Sequence, residues 1–241
     1  MTKIKVSSSK ASAEEHPYLI SLIAIALIAL CLWASQWQFQ RGVDRHHRNF
    51  LISQHVEEPP MSLDSIVKNI DAHEWNQVET TGRFDSSHQI LLRNKYFEGK
   101  YGFNLLTLFT ETNGKTFWVN RGWIAPGASA EATPLTPKTP SAELKIKGTL
   151  RLDNSLPQGS FFAMPQNGGN LIEKWNAQGK NSLGTQPFYI DLVSASLPEA
   201  TPKNPVELPE LSDGPHMAYA LQWIFFAGLV IYGRILLRRG R

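Results

Sequence analysis

The chain has 241 residues, of which 42% are hydrophobic and 19% charged, and its formal net charge at pH 7 is +3. Its mean hydropathy of −0.24 excludes a protein with many membrane spans, because several apolar spans would raise the mean well above zero. Its one cysteine, Cys31, excludes an intrachain disulfide framework and a zinc site built from cysteines. The basic excess lies at the two ends, so the body of the chain is not expected to bind nucleic acid.

The first apolar stretch runs from Tyr18 to about Trp37 and carries no charged residue. About 20 apolar residues cross roughly 30 Å of hydrocarbon. We therefore predict a transmembrane helix at residues 18–39 after a cytoplasmic tail at residues 1–17. A cleaved signal peptide and a lipoprotein signal at Cys31 are the alternatives, but tryptophans rather than a small-residue cleavage site follow the apolar core.

The second apolar stretch, Met217 to Leu237, predicts a transmembrane helix at residues 215–237 with a short tail at residues 238–241. This tail is purely basic, which favours a cytoplasmic position, and the segment before the helix is acidic. The pattern predicts a bacterial inner (plasma) membrane protein with two passes, both termini in the cytoplasm and a periplasmic domain at residues 40–214.

The predicted periplasmic domain starts with a helical continuation of the first span and a short helix at residues 62–70. Six runs rich in β-branched and aromatic residues follow, with Asn113-Gly114 as a hairpin turn. These predicted strands are Val78–Phe84, Gln89–Tyr96, Phe103–Thr110, Lys115–Gly122, Leu144–Leu152 and Phe188–Leu192. Residues 125–140 are expected to form a surface loop, and residues 157–180 an irregular segment with helical turns near 171–177. The predicted fold class is an α+β membrane protein whose mainly antiparallel β domain is a sandwich or a barrel.

No enzyme motif is present in the sequence, which has no nucleophile elbow, phosphate loop, zinc-protease helix or dinucleotide fingerprint. Ser87 and His88 are neighbours, but on a regular strand they would point to opposite faces. His46, His47 and His55 are expected on a solvated helix face. We therefore predict that the protein is not an enzyme.

The start of the second span carries His216, Tyr219 and Trp223 at spacings that place them on one helical stripe. An imidazole beside aromatic rings could bind the iron of a lipophilic haem in an apolar groove between the two helices. Arg41 or Arg45 could then meet the propionates. A polar anchor within an aromatic belt is the alternative, and the residue types alone favour it, since the first span offers no second histidine ligand.

Several segments in order along the chain resemble the surfeit-locus family of cytochrome c oxidase assembly proteins. They are Trp37-Gln38 with Arg41, Gly82-Arg-Phe84, Ile90 to Asn94, Gly102-Phe103, Val119-Asn-Arg-Gly-Trp123, Gly148 to Arg151 and His216-Met-Ala-Tyr-Ala-Leu-Gln-Trp223. The resemblance implies two transmembrane helices around an exported domain and a role in delivering or stabilising haem a in the oxidase catalytic subunit. It also implies that His216 is the haem a ligand. The expected partners are that subunit, the enzyme that synthesises haem a, and the lipid bilayer.

The other matching residues permit structural and partner-binding interpretations. Gly82, Gly102 and Gly122 are expected at turns or close backbone approaches. Asn120 and Arg121, with Trp123 next to them, could satisfy backbone groups or contact a partner. A haem-free scaffold that binds the oxidase catalytic subunit is the alternative function.

Overall fold

The structure is a computed structural model that describes residues 16–128, 134–156, 163–165 and 185–239. The chain divides into two compact units. One contains the residues up to Phe50 and from Leu211 onward, and the other runs from Leu51 to Glu210. The predicted helical turns at residues 171–177 lie outside the described residues.

The first unit contains two long helices, α1 (Pro17–Glu57) and α3 (His216–Arg239). Both are long and apolar enough to cross a membrane, and only 17% of the apolar window of α1 and 11% of that of α3 is buried. Such low burial does not fit the core helix of a water-soluble domain, whose apolar stripe would be covered. As predicted, α1 continues as a charged helix beyond its apolar part.

The buried and half-buried side chains of these helices recur at alternating steps of four and three residues, which keeps them on one stripe of each helix. On α1 they include Ser21, Ala24, Ile28, Cys31, Ser35, Gln38 and Gly42, and on α3 His216, Ala220, Trp223, Ala227, Val230 and Arg234. We call these two stripes the helix seam. Most seam residues are small, as in membrane helix pairs whose backbones approach closely.

Hydrogen bonds join the two helices along the seam. Ser35 Oγ donates to the Ala220 carbonyl at 2.9 Å in its middle. At one end, Arg234 Nη2 donates to Ser21 Oγ at 2.8 Å and to the Pro17 carbonyl at 3.0 Å. The start of α1 therefore meets the end of α3, and the helices form an antiparallel hairpin.

The second unit contains the strands of a mixed sheet and several short helical segments. They are β1 (Met61–Ser62), α2 (Leu63–Ile66), a 3-10 segment (Val67–His73), β2 (Gln77–Phe97), β3 (Lys100–Glu111), β4 (Thr116–Ile124), β5 (Leu144–Leu152), a 3-10 turn (Asp153–Ser155), β6 (Ala163–Pro165), β7 (Thr185–Ala195) and a 3-10 turn (Pro198–Ala200). The predicted helix at residues 62–70 is thus one α-helical turn followed by a 3-10 segment that is non-helical at Asn69.

The sheet closes into a barrel because β2 pairs with two different strands. Its first part, Gln77 to Gly82, pairs with β5, and the part from Gly82 to Phe97 pairs with β3. The order β2-β3-β4-β7-β5 therefore returns to β2. The β4–β7 and β1–β2 pairs are parallel and the other described pairs are antiparallel. This closure decides between the two predicted architectures in favour of a barrel, and the α+β class is confirmed.

The strand β2 joins two runs that the sequence pattern predicts as separate strands, Val78–Phe84 and Gln89–Tyr96. A register shift between Asp85 and Gln89 divides them, and such a bulge bends the strand without ending it. At this bulge His88 Nδ1 lies 2.6 Å from Asp85 Oδ2 and 3.0 Å from Ser87 Oγ. The prediction that Ser87 and His88 point to opposite faces is therefore wrong, since the bulge breaks the alternation of the regular strand.

The main core of the barrel is aromatic. Phe109, Phe117 and Phe188 are fully buried, and the Phe117 ring lies 5.5 Å from Phe109 and 5.2 Å from Phe188 between centroids. Val119 joins this core, whereas Trp118 packs in a second cluster, as the alternation along β4 predicts. The hairpin at Asn113-Gly114 is also confirmed, because Gly114 has φ +89° and Asn113 Oδ1 accepts from the Lys115 N–H at 3.1 Å.

Candidate functional site

His216 is the first residue of α3, directly after Pro215. Its Nδ1 lies 2.9 Å from Gln38 Oε1, across the helix seam. A glutamine carbonyl oxygen only accepts hydrogen bonds, so Nδ1 donates in this contact and Nε2 takes no part in it. Histidines that bind metals are usually held in this way, with one ring nitrogen donating to an oxygen and the other facing the metal.

The seam is closed beside His216. A Cβ placed on Gly42 would lie 3.4 Å from His216 Cβ and 3.3 Å from Met217 Sδ. The two helices touch directly at this end, so the expected apolar groove between them does not exist there. A haem bound to His216 would have to lie along the outer side of the hairpin.

Two arginines of α1 flank the contact at Gly42. Arg41 Cζ lies 5.6 Å from the centroid of the Trp37 ring, and a Cβ on Gly214 would lie 3.4 Å from Arg45 Nη1. Arg45 therefore lies near the start of α3, and together with Arg41 it offers positive charge on α1 that fits the carboxylates of haem propionates.

The predicted stripe of His216, Tyr219 and Trp223 is divided between two sides of α3. His216 and the half-buried Trp223 belong to the seam, and Trp223 packs edge-on against Phe226 at 5.7 Å. Tyr219 is 45% exposed, because Ala220 takes the next seam position after His216. The described residues contain no cluster of three or more His, Cys, Asp or Glu that could hold a metal ion. The start of α3 thus offers haem iron the imidazole of His216, with aromatic and basic groups near it.

Two contributors to this region were not predicted from the sequence, namely Gln38 and Asp213. Asp213 Oδ2 lies 2.8 Å from His46 Nδ1 and its Oδ1 accepts from Asn49 Nδ2 at 3.1 Å, so α1 holds the segment before α3. The hydrogen bond from His46 is the largest of the effects that lower the pKa of Asp213. Gln38 could have been noticed as a polar side chain at the end of an apolar helix, where such residues usually have a partner.

The motif Asn120 to Trp123 at the end of β4 is held by contacts within the barrel domain. Asn120 is buried, where its Nδ2 donates to Asp191 Oδ1 at 2.8 Å and its Oδ1 accepts from the Gly122 N–H at 3.2 Å. Gly122 has φ +89° and a Cβ there would overlap the Asn204 carbonyl oxygen, which accepts from the Trp123 N–H at 2.8 Å. The predicted close backbone approach is confirmed at Gly122, and also at Gly82 and Gly102.

Arg121 is only 3% exposed. Its Nη1 donates to Thr139 Oγ1 at 2.7 Å and its Nη2 to the Lys138 carbonyl at 3.0 Å, while Cζ lies 5.3 Å from the centroid of the Phe84 ring. Within the described part of the chain its Nε has no hydrogen-bond partner. Burial lowers the pKa of Arg121 to about 10, so the side chain keeps its charge at neutral pH.

A buried acid–base network lies beside Asn120 and was not predicted from the sequence. Asp191 Oδ2 lies 3.6 Å from Arg151 Nη1, and Arg151 Nε lies 3.3 Å from Glu74 Oε1. Arg151 Cζ lies 3.5 Å from the centroid of the Trp75 ring. Burial raises the pKa of Asp191 to about 6 although Arg151 and Asn120 lower it. The available signal was a single acid within the apolar run Phe188–Leu192.

The sequence comparisons agree with this architecture. A model of the SURF1 family matches residues 25–228, which reach from α1 through the barrel into α3. The chain belongs to the SURF1 family. Uncharacterised SURF1-like proteins of Mycobacterium bovis and of two strains of Mycobacterium tuberculosis are each 25% identical to it over 222 residues, which cover 89% of this chain and 80% of the relative.

The resemblance found in the sequence motifs is therefore confirmed at the level of the family. SURF1 proteins are assembly factors of cytochrome c oxidase and not enzymes. Membership associates this chain with the assembly of the oxidase and with the membrane, in agreement with its two long apolar helices.

Proposed function

We propose that this SURF1 protein crosses the inner membrane of a bacterium twice and helps haem a reach, or remain in, the catalytic subunit of cytochrome c oxidase. Both termini lie in the cytoplasm and residues 40–214 in the periplasm. The exposed apolar side chains of α1 and α3 support the two spans. The basic residues that end α3, Arg238 and Arg239, support the orientation.

The observation that carries the haem proposal is the hydrogen bond between His216 Nδ1 and Gln38 Oε1. It fixes the ring so that Nε2 is the iron-binding nitrogen. Arg41 and Arg45 supply positive charge for the propionates, and Trp223 and Tyr219 supply aromatic surface for the macrocycle. When bound, haem a would contribute the redox-active iron that the oxidase later uses.

A single protein ligand suits transient binding of haem. His216 would be the ligand from α3, and the close approach of the helices at Gly42 leaves little room for the macrocycle between them there. The receiving subunit could then take over the haem by supplying its own ligands in place of His216. The oxidase catalytic subunit and the enzyme that synthesises haem a are the two partners that such a transfer requires.

The test is the optical spectrum of the detergent-purified chain from cells that make haem a. We expect haem absorbance in the wild type and its loss in His216→Ala. His88→Ala is the matched control, because His88 lies on the barrel bulge and should leave the spectrum unchanged. Haem retained by His216→Ala at the wild-type level would rule out His216 as the ligand.

A haem-free scaffold is the second candidate, and the closed seam favours it. His216 is half-buried and bonded to Gln38, which is also how a purely structural polar anchor would be held. In that case the oxidase catalytic subunit co-purifies equally with the wild type and with His216→Ala, and the optical spectra of the two preparations do not differ.

A further inference from the structure

A cleft of about 450 Å³ opens at the end of β4. Its walls come from Arg121 and Trp123 of β4, from residues 135–137, and from residues 198–204. Clefts of this volume at the mouth of a barrel commonly receive a ligand or a partner side chain. The interaction of β4 with residues 202–204, which Gly122 permits, shapes one side of the cleft.

The charge at the base of this cleft is not neutralised within the described part of the chain. None of the described carboxylates lies within ion-pair distance of Arg121, although five other side chains of the barrel domain that carry a positive charge or can acquire one do have such a partner. Arg121 is 3% exposed, and its Nε–H has no acceptor among the described residues. An unpaired buried charge costs folding free energy, and a carboxylate in the cleft would offset this cost.

The rim of the cleft is weakly basic and partly apolar. Lys203 and Glu199 line it with opposite charges, so Arg121 leaves the lining with a net positive charge. Leu135 lines the same cleft and is 94% exposed. A free small acid would satisfy Arg121 without touching this leucine. A polypeptide that carries an acidic side chain next to an apolar one would cover both.

We infer that the cleft receives an acidic side chain from a partner polypeptide, with its carboxylate pairing with the Arg121 guanidinium and a neighbouring apolar side chain contacting Leu135. This inference rests on the proposed function in one respect only, namely that an assembly factor has a protein partner. It names the surface and the chemistry of that contact, which family membership does not supply.

The test is a titration of the full-length ¹⁵N-labelled chain in detergent, followed at the Arg121 Nε–Hε resonance. Arg121→Lys assigns this resonance by its loss. The probes are the blocked tripeptides Leu-Glu-Leu and Leu-Gln-Leu, sodium acetate, and sodium chloride at equal ionic strength. We expect a saturable shift with Leu-Glu-Leu, and binding about tenfold weaker with Leu-Gln-Leu, because only the carboxylate forms a charge-assisted bond.

The variant Leu135→Ser distinguishes binding of the peptide from binding of the free acid. Because Leu135 is 94% exposed, the substitution cannot disturb the core. The substitution should weaken the binding of Leu-Glu-Leu about threefold and leave the binding of acetate unchanged. Equal binding of the two tripeptides, or no saturable shift with either, would overturn the inference. Acetate binding as tightly as Leu-Glu-Leu would assign the cleft to small acids and overturn the choice of a polypeptide. None of these outcomes depends on haem, so failure of the haem spectrum and failure of this titration are distinguishable.

Discussion

Replacement of Asp191 by asparagine is expected to change how the stability of the barrel depends on pH. The Asp191 side chain is 9% exposed and lies 3.6 Å from Arg151 Nη1. Asparagine has almost the same shape and keeps an oxygen for the bond from Asn120 Nδ2, which is 2.8 Å long in the wild type. The variant therefore removes the titrating group and alters the packing little.

The magnitude follows from the pKa of Asp191. Burial raises it from the ordinary value of 3.8 to about 6, so the folded protein binds this proton more tightly than the unfolded chain does. The resulting stabilisation is fully present below about pH 4 and is lost as the pH rises through about 6. A rise of this size corresponds to roughly 3 kcal/mol. Relative to Asp191→Asn, the wild type should lose about that free energy of unfolding between about pH 4 and pH 7.

The assay is guanidinium unfolding of the detergent-solubilised chain at successive pH values, followed by the near-ultraviolet circular dichroism of the buried aromatic residues. Asp85→Asn is the control with the opposite sign. Burial tends to raise the pKa of Asp85, but hydrogen bonds from Ser87 and His88 bring it below the ordinary value. Asp85 therefore contributes stability that is lost as the pH falls. Parallel pH profiles for the wild type and Asp191→Asn would refute the assignment of a buried, proton-binding carboxylate.

Three further changes have expected outcomes. Gly122→Ala should lower the free energy of unfolding by about 2 kcal/mol more than Gly114→Ala, since both glycines have φ +89° but only Gly122 faces a neighbouring carbonyl; equal losses in guanidinium unfolding would contradict this. Phe109→Ala should cost about 4 kcal/mol in the same assay, because the ring is fully buried between two others. If the hairpin binds haem a, Gln38→Leu should weaken haem binding at least about tenfold by freeing the imidazole, while the exposed Gln222→Leu should not; a haem titration of the two variants decides.

The strands could be predicted because their signals are local. Each predicted run lies within an observed strand except at Lys115, which directly precedes β4, since β-branched and aromatic residues recur with period two between turn residues. Phe117 and Val119 show this most clearly, because their alternation with Trp118 separates the two core clusters. Gly82 and Gly102 were likewise assigned to close backbone approaches from their residue type alone.

The closure of the barrel could not be predicted, because it depends on which distant strands pair. Asn120 lies opposite Asp191 in the parallel β4–β7 pair, and Thr149 lies opposite the same Asp191 in the β5–β7 pair. That register places Arg151, two residues beyond Thr149 on β5, within reach of the carboxylate. No local pattern specifies such partners, so the buried network became visible only with the fold.

At the helix hairpin, one residue of the site could be predicted from the sequence and its partner could not. His216 is conspicuous at the start of an apolar helix, whereas Gln38 becomes its partner only once the seam aligns α1 against α3. The same alignment brings α3 against Gly42 and closes the seam there. The sequence of either helix alone does not show this contact. If His216 holds haem a, binding and release would therefore not require α1 and α3 to separate at Gly42. A cross-link between Gly42→Cys and Met217→Cys would test this, because haem binding and release should both survive it.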